Sequence, residues 1–301
     1  MPKMVTPAME RLQKKGKYNT SGVSSPGREA WKRLRKNKMA VAGLFIIVVL
    51  LLVAVFAEYI APYDYRTQDY TAILESPSKE HLFGTDNVGR DIFSRVVYGA
   101  RYSLPIGIAC VIIGLLVGGS LGLVAAYFGG RTDNVIMRLI DVVQAIPSTL
   151  LCISLVAILG NGLIQLIIAI AAGSIQGMTK SVRAAIFMVR NNEYVDSSKS
   201  IGVSDFKIMV RHLVPNAVGM IVINAIGNIS ASILTVSTLS YIGIGLVPPT
   251  PEWGAILSEG KAYMSIAPHL VMFPGLMIAI TVAAFNLFGN GLRDALDPRL
   301  K

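Results

Sequence analysis

The feature that most constrains the fold of this sequence is a set of five long segments that contain no Asp, Glu, Lys or Arg residue. They cover residues 39–57, 102–130, 142–179, 212–251 and 262–292. Each is close to or longer than the roughly 18 apolar residues of a membrane-spanning helix. Across the chain 53% of the residues are hydrophobic and 15% are charged, whereas a soluble domain carries about 25% charged residues. The sequence therefore predicts an all-α integral membrane protein.

The number of spans follows from the lengths of these segments. Segment 142–179 is too long for one span, and Gly160-Asn161-Gly162 near its middle favours a hairpin turn. We therefore predict six spans, with approximate limits 40–60, 103–127, 136–159, 163–181, 217–241 and 267–288. Segment 212–251 could also be divided into two helices, which would place the two termini on opposite sides of the membrane.

The basic residues favour six spans with both termini in the cytoplasm. In that topology all but six of the 28 Lys and Arg residues lie in cytoplasmic segments, which is the positive-inside pattern. The net charge of +10 thus indicates orientation and contact with anionic lipid, and not nucleic-acid binding.

This topology divides the chain into five parts. They are a cytoplasmic basic arm (1–38), a first span that serves as a retained anchor (39–60), an external loop (61–101), a five-helix core (102–289) that includes a cytoplasmic segment (190–215), and a cytoplasmic tail (290–301). Cys110 and Cys152 fall within spans, so we expect them to pack and not to form a disulfide.

The external loop ends in a segment that alternates charged and apolar residues at helical spacing. Its apolar members are Ile92, Val96, Val97 and Tyr98, and its charged members are Arg90, Asp91, Arg95 and Arg101. The pattern predicts an amphipathic helix on the membrane surface. A solvated loop with one short helix is the alternative.

Two predicted spans carry residues that shape helix packing. Gly114, Gly118 and Gly122 share one face of the second span, so a neighbouring backbone should approach closely there. In the third span we expect Pro147 to kink the helix, with the polar residues Asp141 and Gln144 before it facing the bundle interior.

The fifth span carries a continuous stripe of uncharged polar residues. They are Asn224, Asn228, Ser232, Thr235 and Thr238, at steps of four, four, three and three. Such a stripe suits the lining of a pore for a polar solute. It suits contacts that join helices equally well.

Between the fourth and fifth spans the sequence predicts a cytoplasmic helix, a turn and a second helix. Asn192 is placed to cap a helix from Glu193 to Ile201, and Gly202 ends it in a left-handed conformation. Ser204 and Asp205 then begin the second helix. This knob could transmit work from a soluble motor, or it could be a well-folded loop without a partner.

The residues of this knob resemble the Glu-Ala-Ala loop of bacterial ABC importer permeases, which docks on the ATPase subunit. Asp196-Ser197-Ser198 is followed by Gly202 and then by Pro215 at the spacing of that loop. The sequence departs from the family in having Asp and two Ser residues at the motif itself, and His212 and Val214 further on. The resemblance implies coupling roles for Glu193, Tyr194, Val195, Asp196, Ser197, Ser198, Ile201, Gly202, His212 and Pro215.

The rest of the chain, from about residue 28 onward, is similar to the second permease subunit of dipeptide and oligopeptide importers. The similar motifs are Gly84-Thr85-Asp86, Gly89-Arg90-Asp91, Ser94-Arg95, Tyr98-Gly99-Ala100-Arg101, Tyr127-Phe128-Gly129-Gly130 with Asp133, Met137-Arg138 and Asp141, 248–254, Phe273-Pro274-Gly275 and 291–298. Asn290 stands where the family has Asp.

This resemblance implies a type I permease of a bacterial inner membrane that works with other subunits. The partners would be a homologous permease, two ATPase subunits that bind ATP and Mg, and an external solute-binding protein; this chain itself would need no cofactor. The topology leaves one set of residues where that binding protein would dock, namely Asp86, Arg90, Asp91, Arg95, Arg101 and Trp253. The substrate would be a peptide, or alternatively nickel or another small solute.

Other classes of protein fit the sequence less well. The stretch 173–181 has Thr179 where a phosphate-binding loop needs Gly before Lys180. An ion-coupled transporter usually has ionisable groups near the bilayer midplane, and the centres of all six predicted spans lack them. The sequence also lacks the residues of an intramembrane hydrolase, because its three histidines are too scattered to form a metal site; they are His81, His212 and His269.

Overall fold

The computed structural model describes residues 31–296, and they form a bundle of helices joined by loops. The helices are α1 (Lys38–Val55), α2 (Ala57–Ile60), α3 (Ile92–Gly114), α4 (Ser120–Phe128), α5 (Gly130–Gln144), α6 (Ser148–Leu159), α7 (Leu163–Val189), α8 (Glu193–Ser200), α9 (Asp205–Ile208), α10 (Val214–Ile242), α11 (Trp253–Gly260) and α12 (His269–Leu296). Single π-helical turns, Leu115–Gly119 and Met209–Leu213, join α3 to α4 and α9 to α10. Most of the predicted arm 1–38 and the last five residues of the predicted tail lie outside the described residues.

The helices long and apolar enough to cross a membrane agree with the predicted number of spans. There are five in residues 31–296, or six when the bent pair α5 and α6 counts as one span. The segment Asp205–Ile242 is one of them and runs as a single helical stretch. The division of segment 212–251 into two spans is therefore wrong.

The third predicted span differs most from its prediction. In place of one kinked helix over 136–159, α5 and α6 meet at an angle of 80°. Pro147 lies in the break with extended backbone angles and begins α6, because a proline lacks the N–H that a continuous helix would use. Two ion pairs hold α5 against α7, Arg183 with Asp133 and Lys180 with Asp141.

The helix predicted after the external loop forms, but its predicted position on the membrane surface is wrong. Residues from Ile92 onward begin a helix that continues through the second span, to Phe128. Ile92, Val96 and Arg95 are all buried. Arg95 does not need to face water, because two carboxylates from other segments pair with it inside the protein.

Close helix packing at the small residues of the second span is confirmed. A Cβ atom at Gly118 would lie 2.5 Å from the carbonyl oxygen of Ile175, and one at Gly122 would lie 2.4 Å from that of Thr179. Since such distances are too short for any carbon atom, only glycine lets this helix and α7 approach so closely.

Three apolar clusters hold the bundle together. One joins α1, α3, α10, α11 and α12 at the end that carries residues 61–91, which we call the loop end. A second joins α4, α7, α8 and α10 at the opposite end, which we call the knob end because residues 190–213 protrude there. The third joins α3, α6, α7 and α10, and within it Cys110 and Cys152 lie buried as free thiols.

The last helix is longer than its predicted span. α12 continues past residue 288 to Leu296, so the first part of the predicted tail is helical. Ala295 packs against Leu34 and Ala40. Asn37 begins α1 beside them, where its side-chain oxygen accepts hydrogen bonds from the backbone N–H groups of Met39 and Ala40.

Candidate functional site

The knob has the helix, turn and second helix that the sequence predicts. α8 spans Glu193–Ser200, with Glu193 and Asp196 in its first turn and Lys199 in its last, an arrangement that the helix dipole favours. Asn192 and Ser204 occupy the predicted N-cap positions, but neither side chain makes a capping hydrogen bond. Helix start positions were thus predictable, whereas the capping bonds were not.

Gly202 makes the turn that the sequence predicts. Its φ angle is +80°, and a Cβ atom there would meet nothing within 4 Å. The need for glycine is therefore conformational and not a matter of space. The N–H groups of Gly202 and Val203 donate to the carbonyl oxygens of Lys199 and Ser198 and close the end of α8.

One face of the knob is fixed firmly to the bundle. Val195 and Ser198 point inward and are buried, and Val195 packs in the apolar cluster of the knob end. The hydroxyl of Tyr127, at the end of α4, donates to Asp205 Oδ1 at 2.6 Å. These contacts join the knob to the ends of α4 and α7.

The opposite face of the knob exposes large apolar side chains. Ile201 is 80% exposed and Phe206 is 72% exposed. Among the other predicted coupling residues, Glu193, Asp196, Ser197 and Pro215 are exposed, while Tyr194 and His212 are partly buried. A rigid base with an apolar outer surface is suited to contact with another protein.

The polar stripe of the fifth span lies on α10 beside an open face of the bundle. Thr235 and Thr238 donate to carbonyl oxygens of the preceding turn, and Asn228 donates to the carbonyl oxygen of Asn224. Their donors are thus satisfied within the helix while the side chains stay partly exposed. Ser232 differs from the others, because it is buried.

The loop end contains a buried cluster of two arginines and two carboxylates. Arg90 Nε lies 2.6 Å from Asp86 Oδ2, and Arg90 Nη2 lies 2.9 Å from Glu259 Oε1. Arg95 bridges the same two carboxylates and is fully buried. Burial disfavours the charged form of Arg90, but the attraction of Asp86 and Glu259 outweighs it and raises the pKa of Arg90. The cluster fastens the 61–91 segment to α11.

Asp91 stabilises the same region from the start of α3. Its Oδ2 atom accepts the backbone N–H of Ser94 at 2.7 Å, and its Oδ1 atom lies 3.0 Å from Nδ1 of His81. No group of three His, Cys, Asp or Glu residues suited to a metal occurs within the described range 31–296.

Glu252 and Trp253 connect α11 to α3 and α10. Glu252 is fully buried and accepts hydrogen bonds from the hydroxyls of Ser103 and Ser237 and from the N–H of Ala255. The indole of Trp253 donates to the carbonyl oxygen of Val96 at 2.9 Å. These contacts lock the short helix after the fifth span onto the bundle.

The predicted binding-protein contacts are mostly internal in this structure. Asp86, Arg90, Asp91, Arg95 and Trp253 are each at most 4% exposed. Arg101 is partly exposed and joins α3 to the end of α1 through Glu58 and the carbonyl oxygen of Ala54. Five of the six side chains therefore shape the surface from within, and the prediction that they touch a partner needs correction.

Sequence reasoning missed two members of this scaffold, Glu252 and Glu259. The sequence did contain a signal for Glu259. Two arginines, Arg90 and Arg95, lie near Asp86, and a second buried arginine needs a carboxylate from elsewhere in the chain. For Glu252 the helix-start position before Trp253 was the available signal.

Two family models match the chain. Residues 118–301 match the model described as binding-protein-dependent transport system inner membrane component. Residues 25–77 match the N-terminal TM domain of oligopeptide transport permease C.

Curated relatives match almost the whole chain. A glutathione transport system permease protein GsiD from Pectobacterium atrosepticum is 44% identical over 93% of this chain and 93% of its own length. The GsiD protein of an Escherichia coli O6:K15:H31 strain is 46% identical over 93% of this chain and 92% of its own length.

Solved structures share the fold at lower identity. Two crystal forms of the inward-facing MetNI methionine ABC transporter include a chain with TM-scores of 0.55 and 0.56 at 17% and 18% identity. They cover 67% and 68% of this chain and 96% and 98% of that one. With the two family models and relatives at 44% and 46% identity, this chain belongs to the binding-protein-dependent transport system inner membrane components, the permease subunits of ABC importers.

Proposed function

We propose that this chain is the permease subunit of a bacterial inner-membrane importer for glutathione and similar short peptides. The observation that carries the proposal is the 46% identity to glutathione permeases over 93% of the chain. The chain forms half of the pore with a homologous permease. Two ATPase subunits bind ATP and Mg, a solute-binding protein delivers the peptide, and both termini lie in the cytoplasm.

Uptake by the assembled importer tests the substrate. The chain is expressed with the subunits that co-purify with it, reconstituted in vesicles, and supplied with ATP and labelled glutathione, dipeptide or nickel. We expect ATP-dependent uptake of glutathione or dipeptide and none of nickel. Nickel uptake without peptide uptake, or peptide uptake driven by an ion gradient without ATP, would contradict the proposal.

In this proposal α8 is the helix that contacts the ATPase subunits and transmits their movement to the bundle. Its inner face is fixed to the bundle through Val195 and Ser198, and the residues that follow it in the knob, Ile201 in the turn and Phe206 on α9, are exposed. A rigid contact of this kind is what a bundle needs in order to turn as one body.

Replacing Gly202 with Val tests the coupling role. A β-branched residue at a φ of +80° strains the turn by roughly 1–3 kcal/mol, so we expect ATP hydrolysis to continue while uptake falls. Gly160→Val is the matched control, because Gly160 has a φ of +86° and equally open surroundings at the other end of the bundle. Equal uptake by both variants would argue against the coupling role.

The open face of α10 is the proposed pore surface. A large side chain at Thr235, such as Thr235→Trp, should block uptake without loss of assembled complex. Val222→Trp is the control, since Val222 is 40% exposed and lies about 140° away around the same helix, at 100° per residue. Normal uptake by Thr235→Trp would favour a packing role for the stripe.

The proposed docking surface for the binding protein is the outer side of residues 66–80. Most of these side chains are exposed, including Tyr70 at 69% and Ile73 at 45%. Backbone hydrogen bonds hold this segment beside the buried cluster, since the N–H groups of Asp69 and Leu74 donate to the carbonyl oxygens of Gly89 and Asp86. The predicted contact residues thus act through the segment that they hold.

A further inference from the structure

A polar cavity lies beside the knob, between the last turns of α4 and α7 and the inner side of α8. Its volume is about 330 Å³, and its lining includes Tyr127, Phe128, Arg190, Asn191, Asp196 and Lys199. Arg190, Asn191 and Lys199 of this lining have no role among those described above.

Two cations line the cavity without a carboxylate partner. Arg190 is held in place by a hydrogen bond from its Nη1 atom to the carbonyl oxygen of Ala126, and Lys199 Nζ lies 5.2 Å from the centre of the Tyr127 ring. In the part of the chain that the structure describes, no ion pair involves either residue. Asp196 is the single acid in the lining, so the two cations exceed it by one positive charge.

The position of the cavity distinguishes it from the face that meets a motor. Val195, Asp196 and Lys199 line it from α8, and Val195 is the residue by which α8 packs on the bundle. The cavity therefore lies on the bundle side of α8. Phe128, which also lines the cavity, is 52% exposed, so apolar surface adjoins the charged pocket.

We propose that this cavity binds the phosphate group of an anionic phospholipid, with Arg190, Lys199 and the Asn191 amide as its ligands. Basic pockets between the cytoplasmic ends of membrane helices are suited to lipid headgroups, and the exposed Phe128 offers an apolar surface to the acyl chains. A bound headgroup bridges α8 to the ends of α4 and α7 and stiffens the joint through which the knob moves the bundle. The proposal depends on the proposed function only for the side of the membrane.

Lipid binding by the purified protein tests the proposal directly. The delipidated full-length chain, alone and with its co-purifying subunits, is titrated with phosphatidylglycerol, phosphatidylcholine or inorganic phosphate, and bound molecules are counted by native mass spectrometry. We expect phosphatidylglycerol to bind and Lys199→Gln to weaken it about fivefold, the effect of one cation at an anionic membrane surface. Lys199→Arg should restore binding. Lys207→Gln is the matched control, because Lys207 is exposed on the next helix, outside the cavity.

Each other result would overturn the assignment. Equal binding of phosphatidylcholine would show an apolar crevice only. Binding of inorganic phosphate that depends on Lys199, with no binding of phosphatidylglycerol, would show a free-phosphate site. Loss of lipid whenever the ATPase subunits are present would show that those subunits occupy the cavity. The exposed Lys199 carries the test because Arg190→Gln also removes a helix-end contact and risks misfolding.

Discussion

The two ends of this bundle are stabilised in opposite ways. At the loop end, charged side chains are turned inward: Arg95 and Asp86 are at most 1% exposed and are paired in the buried cluster. At the knob end the arrangement is reversed, with Ile201 and Phe206 exposed on a knob whose inner face packs on the bundle.

This difference separates an end whose shape is fixed by internal ion pairs from an end that exposes large apolar side chains. Buried ion pairs cost desolvation energy, and they persist where a fixed geometry matters more than stability. Exposed apolar side chains contribute nothing to the isolated chain, and they gain free energy when another protein covers them. The loop end is therefore built to hold a fixed shape, whereas the knob end presents apolar surface for another protein to cover.

The largest expected effect on stability is at the loop end. Arg95→Met removes one of the two buried arginines that bridge Asp86 and Glu259. Arg90 is then left to pair with both carboxylates, so one buried negative charge is uncompensated. Breaking a buried pair in this way costs about 3–5 kcal/mol, which we expect to appear as a lower thermal unfolding temperature in detergent. Lys79→Met, at an exposed position of the same loop, should change it little. Equal stability of the two variants would mean that the cluster is not a structural fastener.

A smaller effect is expected where the knob end depends on close backbone contact. Gly122→Ala places a methyl group 2.4 Å from the carbonyl oxygen of Thr179, so the helices must separate, at a cost of about 1–3 kcal/mol. Gly227→Ala is the control: it also lies inside a helix, but a Cβ atom there meets nothing within 4 Å. We expect it to stabilise by about 0.5–1 kcal/mol. If both substitutions changed the unfolding free energy in the same direction, the close-packing account would be refuted.

Much of the knob could be predicted from the sequence because its determinants are local. The start of α8 at Glu193 and the left-handed turn at Gly202 depend on residues next to one another in the chain. The small residues facing α7 were predictable for the same reason, since one helix face is read from spacing alone.

The loop end could not be predicted in the same way because its determinants are far apart in sequence. Arg95 and Glu259 are separated by 164 residues, and their pairing turns an apparently amphipathic surface helix into a buried one. The sequence predicted only a kink at Pro147, whereas α5 and α6 meet there at 80°. The ion pairs that hold α5 against α7 join two different spans, so they could not be predicted from the residues around Pro147. Tertiary ion pairs are thus where local patterns gave the wrong structure.

The smallest effect on stability should accompany a clear effect on assembly. Ile201→Ser alters a side chain that is 80% exposed, so the unfolding free energy should change by about 0.5 kcal/mol or less. If the outer face of the knob meets the ATPase subunits, the same substitution should weaken their binding about tenfold, which corresponds to about 1.4 kcal/mol. Val247→Ser is the matched control, because Val247 is 60% exposed at the loop end and far from the knob. Co-purification of the ATPase subunits at graded concentrations measures the difference. Unchanged binding by Ile201→Ser would show that the apolar surface of the knob serves another contact, and the proposed contrast between the two ends would then fail at the knob.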